Sequence, residues 1–242
     1  MKDSKKGTLG AGLNQAGPSM IRTNLSQPKT KRRKSPRKKD AAGSRKSILH
    51  SALIEFSTKG YDGARVDEIA KRAGVSKPLI YEYFGDKEAV YAAALRETYL
   101  QIRAGEETLE MEGLSADEAI KALVKFTMDH YRLNPWFISM LNTENLLGGS
   151  TIRQIQDASD IQSPLIKKLS AVLKRGHAEG KFRGGVDTVE LYIFIASICY
   201  FPISNIHTLQ TVFRCEIDDE WLDRRSREAA EMVLGFLREK SE

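Results

Sequence analysis

The strongest constraint on this chain is a short, tightly punctuated stretch. A helical pattern over Val66–Ala73 puts Val66, Ile69, Ala70 and Ala73 on one face. It is broken by Gly74-Val75-Ser76 and resumes over Lys77–Phe84. Glycine allows a tight turn, the valine plugs a small core, and the serine can cap the next helix. Pro78 falls in that helix's first turn, where its missing N–H costs nothing. Two short helices across a Gly-containing turn make a helix-turn-helix. A preceding helix from Ser44, with Ile48, Ala52 and Phe56 on an i, i+4 row and Gly60 as its stop, supplies the third wall.

Beyond Asp86 the helical period continues. Candidate elements are 88–105, 116–132, 136–147, 151–159, 163–176, 187–209 and 218–240, and no alternating strand pattern with turn dipeptides occurs. The expected fold class is all-α, in three parts. Residues 1–43 read as a disordered basic tail, 44–91 as a three-helix helix-turn-helix domain, and 92–242 as a helical C-terminal domain, which the family resemblance given below makes the DNA-binding domain and the effector-binding and dimerisation domain respectively.

Charge is unevenly spread. Residues 1–46 hold 14 Lys+Arg against Asp3 and Asp40, a net of +12, which leaves −6 for the rest of the chain. The helix-turn-helix region, residues 47–95, is nearly balanced with 6 basic and 7 acidic groups. Phosphate neutralisation supplies much of DNA-binding free energy. The tail, densest over Lys29–Lys39, is therefore expected to contribute DNA-backbone contacts that the balanced domain lacks.

Several function classes find no support. The two cysteines do not make a disulfide scaffold, and the four histidines have no zinc-site spacing, so no metal or cofactor is expected. There is no Gly-x-Ser-x-Gly, phosphate loop or cofactor fingerprint, so no enzyme activity is expected. The run Leu191–Ile203 is too short to span a bilayer, and Lys2, Lys5 and Lys6 precede no apolar run. A cytoplasmic protein without a membrane partner is the expectation.

The combined spacings Phe56…Gly60-Tyr61, Ile69-Ala70…Ala73-Gly74-Val75-Ser76 and Tyr81-x-Tyr83-Phe84…Lys87-Glu88 resemble the DNA-binding domain of tetracycline-repressor (TetR-type) regulators. The resemblance covers about residues 44–91. It implies a homodimer on a palindromic operator, with a small-molecule effector of unknown identity acting on the C-terminal domain. Two positions depart from the family pattern. Ala64 and Arg65 stand where Thr-Thr is common, and Lys77 stands where a small residue is common.

The recognition helix must enter the major groove by its N-terminus while neighbouring groups grip phosphates. The candidate DNA contacts are Arg65, Ser76, Lys77, Pro78, Leu79, Tyr81, Tyr83 and Lys87. Lys77 can donate to guanine or phosphate, Pro78 or Leu79 can touch a thymine methyl, and Lys87 adds a cation to a helix N-terminus. Aromatic and polar residues mix around Phe126, His130, Trp136, Met140 and Glu144, the candidate effector-binding set, although a plain bundle core would look similar. Helix 187–209 is apolar nearly all round, which calls for a second cover from a partner subunit. The alternative to a ligand-responsive regulator is an architectural DNA-binding protein without an effector.

Overall fold

The computed structural model describes residues 38–238. Among them are ten α-helices and no strand: α1 (Lys38–Gly63), α2 (Val66–Ala73), α3 (Lys77–Phe84), α4 (Lys87–Glu107), α5 (Ala116–Leu133), α6 (Pro135–Leu146), α7 (Ala158–Ala178), α8 (Thr188–Ser204), α9 (Ile206–Val212) and α10 (Asp219–Leu237). The all-α fold is as expected. Residues 1–37, most of the basic segment, lie outside the described residues. Its end differs from expectation: Lys38–Gly43 belong to α1, whose first turns include the strong helix formers Ala41 and Ala42.

Two cores organise these helices. The N-terminal core gathers Ile48, Ala52 and Phe56 of α1, Ile69 of α2, Ile80 of α3, and Val90, Tyr91 and Leu95 of α4. Phe56 and Tyr61 both meet the Tyr91 ring edge-on, with centroids 5.0 and 5.1 Å away. Such pairs contribute about 0.5–1.5 kcal/mol beyond their buried area. The helical path of α1 breaks at Gly60, whose φ of 68° and ψ of 179° a side chain would resist. That break turns Tyr61 back onto the core. The C-terminal core is built by α5, α7, α8 and α10, with Ile102 of α4.

Helix ends explain most boundaries. Asp86, Ser115, Asp187 and Asp218 each accept a hydrogen bond from a first-turn amide, and Ser115 forms a full capping box with Glu118. The expected helix over 151–159 is instead a single 3₁₀ turn, Ile152–Gln154, followed by α7. The expected helix 187–209 is two helices, α8 and α9, meeting at 60°. Pro202 lies within α8, and the break comes at Asn205, whose side-chain amide donates to the Phe201 carbonyl at 3.2 Å. Among the described residues no single helix is long and apolar enough to cross a membrane.

One close approach is decisive for the C-terminal core. A Cβ on Gly176 of α7 would lie 2.1 Å from the buried Phe182 ring. Overpacking of this kind costs about 1–3 kcal/mol. Gly176→Ala is therefore expected to lower the thermal midpoint by several degrees, about 2–4 °C per kcal/mol for a chain of this size. Thermal unfolding followed by circular dichroism checks this.

Candidate nucleic-acid interface and regulatory core

The helix-turn-helix is held by backbone geometry first. Gly74 adopts the left-handed conformation at the end of α2, and the Val75 and Gly74 amides donate back to the Ala70 and Lys71 carbonyls. This is the paired C-terminal bond pattern that glycine permits. Ser47 of α1 donates to the Ala73 carbonyl at 3.2 Å, fixing the turn to the first helix. At the far end of α3, Arg45 of α1 donates to the Tyr83 carbonyl at 3.2 Å and stacks 4.4 Å over the Phe84 ring.

Arg65 is the N-cap residue of α2 and has no side-chain cap bond. What α1 supplies is a partner for the Arg65 amide itself, not for the first-turn amides a hydroxyl would accept. Glu55, buried in an otherwise apolar row, accepts the Arg65 amide at 3.3 Å, while its other oxygen lies 3.8 Å from Arg72 at the end of α2. This is the bond that the acidic member of a capping box makes to the N-cap amide, here supplied from another helix. The Arg65 side chain remains exposed.

Ser76, Pro78 and Tyr81 are exposed along one side of α3, with Lys77 and Leu79 partly so. Ser76 occupies the N-cap position but its hydroxyl makes no cap bond. Lys77 is not free. Its ammonium lies 2.9 Å from Asp67 of α2 and 6.0 Å from the Tyr81 ring centre, and the hydrogen bond to Asp67 raises its pKa above the usual lysine value. Tyr83 turns partly into the N-terminal core. Lys87, in the first turn of α4, donates to the Asp62 carbonyl at 3.3 Å and sits 4.9 Å over the Tyr61 ring. Ser76, Lys77, Pro78, Leu79 and Tyr81 thus share one helix, and Arg65 and Lys87 come from the two elements beside it.

The five candidate effector residues do not form one site. Phe126 and His130 stack on α5 with centroids 5.9 Å apart, and Trp136 and Phe137 meet His130 edge-on at 6.4 and 5.0 Å. Met140, by contrast, is fully buried in the N-terminal core. Glu144 accepts the Thr151 and Ile152 amides at 2.8 and 2.9 Å and so closes the loop after α6. Helical spacing places Met140 and Glu144 one and two turns beyond Trp136, and that carries them out of the C-terminal core.

The sequence reading missed the buried polar group of that core. Arg103 of α4 pairs with Glu106 and donates to the Tyr192 hydroxyl of α8 at 3.0 Å. Their side chains are only 9% and 2% exposed. Burial pushes the Glu106 carboxyl up to about 7, against the opposing pull of Arg103. Burial and then the Arg103 charge bring His130 down to about 4. Charged residues on the row of α4 that also holds Leu95 and Ile102 were the available sequence clue.

These features define a DNA-binding protein whose helix-turn-helix is attached to a helical regulatory domain. The comparisons with known proteins agree. Residues 48–94 match the family described as bacterial regulatory proteins, tetR family, and residues 117–233 match the tetracyclin repressor-like C-terminal domain. The chain is 32% identical over 184 residues to the HTH-type transcriptional repressor NicS of Pseudomonas putida, covering 76% of this chain and 87% of that protein. It is 32% identical over 145 residues to the HTH-type transcriptional regulator RutR of Escherichia coli K12, covering 60% and 67%. The transcriptional regulator FadR of Bacillus subtilis, solved with stearoyl-CoA, shares the fold at a TM-score of 0.58 and 18% identity, covering 80% of this chain and 100% of that one. The chain belongs to the TetR family of DNA-binding transcriptional regulators.

The opposite shifts of His130 and Glu106 have opposite consequences for stability. Between pH ~4 and ~6.5 the unfolded chain binds the His130 proton and the folded one does not, so this group's contribution is lost as pH falls. Between pH ~4.5 and ~7 the folded chain holds the Glu106 proton, so this contribution is lost as pH rises. Relative to wild type, Glu106→Gln should gain thermal stability on going from pH 5 to 7, and His130→Phe should lose it. Thermal midpoints of the three proteins at both pH values check the two signs.

Proposed function

We propose that this regulator is a cytoplasmic repressor and not an enzyme, a homodimer that leaves a palindromic operator when a small molecule binds its C-terminal domain. The observation that carries this reading is the path of α4. One 21-residue helix begins beside α3 with Lys87, contributes Tyr91 and Leu95 to the N-terminal core, and carries Arg103 and Glu106 into the C-terminal core. A ligand that favours a different setting of α4 in the C-terminal domain would also reorient the recognition helix, and DNA affinity would fall by the ligand's preference between the two states. Helix α6 reinforces the link, because Phe137 packs in the C-terminal core and Met140 in the N-terminal one.

The dimer reading rests on α8 and α10. On α8, Leu191, Ile195 and Cys199 are buried within the subunit, whereas Val189, Ile193 and Phe201 are about half exposed on an i, i+4 row. Met232 and Phe236 of α10 add to the same kind of surface, with Phe236 5.5 Å from Phe194. An exposed apolar patch on two adjacent helices suits an isologous interface. Ile193→Glu should yield a folded monomer at micromolar concentration, as measured by sedimentation velocity. A wild-type protein that sediments as a monomer would defeat this reading. Two subunits so joined would present recognition helices ~34 Å apart, one DNA turn.

DNA contact is assigned to Arg65, Ser76, Lys77, Pro78, Leu79, Tyr81, Tyr83 and Lys87, with the basic N-terminal segment adding phosphate contacts. The Lys77–Asp67 pair makes a sharp test possible, because Asp67 holds a cation that phosphate would otherwise use. Asp67→Asn should strengthen binding to random duplex and steepen its log–log salt dependence by up to ~0.9. Deleting residues 1–37 should weaken binding to operator and random duplex alike and make the dependence shallower, since phosphate contacts carry no base information. Fluorescence anisotropy over about 50–200 mM salt reads both effects. Equal affinity for operator and random DNA in the intact protein would favour an architectural binder instead.

A further inference from the structure

Successive residues of a helix turn by about 100°, so side chains four apart lie close to one line along it. On α3 the inward line holds Ile80, fully buried, and Phe84, packed against the same N-terminal core. The opposite line holds Pro78 and Glu82, both exposed. Leu79 and Tyr81 border that line on its two sides. Glu82 is thus as central to the outward face as Pro78, and it places a negative charge where a polyanion would dock. The cations on and beside α3 are engaged elsewhere. Lys77 is bonded to Asp67 at 2.9 Å, Arg45 donates to the Tyr83 carbonyl and covers the Phe84 ring, and Lys87 donates to the Asp62 carbonyl. Among the described residues Glu82 has no ion pair or hydrogen bond.

We propose that Glu82 is a specificity-determining residue, and that it accepts a hydrogen bond from the N4 amino group of a cytosine in each half of the operator. The inference rests on the reading that puts α3 in the major groove. An ionised carboxylate is an acceptor only. In that groove guanine offers the acceptors N7 and O6, and thymine offers the acceptor O4 and a methyl group, so neither base can meet it. Adenine offers the N6 donor but sets its N7 acceptor beside it, which suits an amide and opposes the second carboxylate oxygen. Cytosine offers its N4 donor alone.

The same carboxylate works against every other site. Facing a base without a free donor, or the phosphates of random duplex, it is an unpaired charge that weakens the complex. Residues 47–95 carry 6 basic and 7 acidic groups, so no surplus of positive charge in this domain masks the effect. The repulsion is sensitive to salt, because about 0.1 M salt screens exposed charges separated by more than ~10 Å. One side chain therefore rewards the right base pair and penalises the wrong ones.

The test is selection of duplexes from a random library by the full chain and by its Glu82→Gln, Glu82→Ala and Glu68→Gln variants, followed by fluorescence anisotropy on the enriched sequence. Glu82 is exposed, so its variants should keep the wild-type thermal midpoint. Glu68, an exposed acid of α2, controls for net charge. The wild-type site should contain one C·G pair, mirrored in its two halves, that Glu82→Ala no longer selects and that Glu82→Gln replaces by A·T, with the other positions unchanged. Changing that pair to T·A should weaken the wild type about tenfold and Glu82→Ala less than about twofold. On random duplex at about 50 mM salt both Glu82 variants should bind more tightly than the wild type, with the difference shrinking toward about 200 mM. An unchanged selected sequence in both Glu82 variants would overturn the assignment while leaving the sequence-reading regulator intact. The same change of sequence in Glu68→Gln would also overturn it, by making the effect one of net charge. A wild-type protein that enriches no sequence would bring down the inference together with the reading beneath it.

Discussion

The coupling between the two cores depends first on α4 being one uninterrupted helix, with α6 as a second bridge. The backbone hydrogen bonds of α4 run from the Asp86 cap to Glu107 without a proline or a break. At 1.5 Å per residue α4 is about 30 Å long. Its inward row changes company along the way. Val90, Tyr91 and Leu95 are fully buried among the residues of the DNA-binding helices, whereas Ile102, two turns later, is buried in the C-terminal core. Close-packed cores are bistable rather than continuously deformable, so a rod anchored in both moves as a unit or not at all. Arg96, midway, is tied to Asp157 before α7 by a forked ion pair, with Nε donating to Oδ1 at 3.0 Å. The start of α7 is thereby referenced to the same rod.

The helix-turn-helix was legible because local rules agree there. Gly74, Ser76, Pro78 and the apolar faces of α1 and α2 each point to the same boundaries, and the observed helices α2 and α3 match them residue for residue. The later chain was legible only in outline. The Asn205 break was hidden because Pro202 is the more conspicuous helix-breaking residue, yet it lies inside α8. Apolar periodicity also could not say which side of α8 faces inward. Its sequence is apolar nearly all round, and packing alone separates buried Ile195 from half-exposed Ile193.

The candidate sites divide along the same line. The exposed face of α3 follows from its own register and its N-terminal turn, so Ser76, Lys77, Pro78 and Tyr81 could be named from sequence. The Lys77–Asp67 pair could not, because it joins two helices at an angle set by the turn. The C-terminal polar cluster was missed for a related reason. Arg103 and Glu106 read as ordinary solvent-facing charges in a helix full of them, and only the packing of α4 against α7 and α8 turns them inward. Aromatic density pointed to α5 of the C-terminal core, but followed the chain into α6, which carries Met140 and Glu144 away from it.

The Glu55 bond to the Arg65 amide has a consequence for how such a protein can diverge. Where a threonine side chain both caps a helix and touches DNA, any change at that position trades fold stability against recognition. Here α2 has no side-chain cap at position 65, and Glu55 anchors its start through the backbone amide of that residue alone. Any residue with a backbone N–H can supply that bond. The side chain at position 65 is thereby released from structural duty, so that in the proposed reading substitutions there would alter DNA contact while the scaffold stays constant. Glu55, remote from the exposed face of α3, becomes the position that cannot drift.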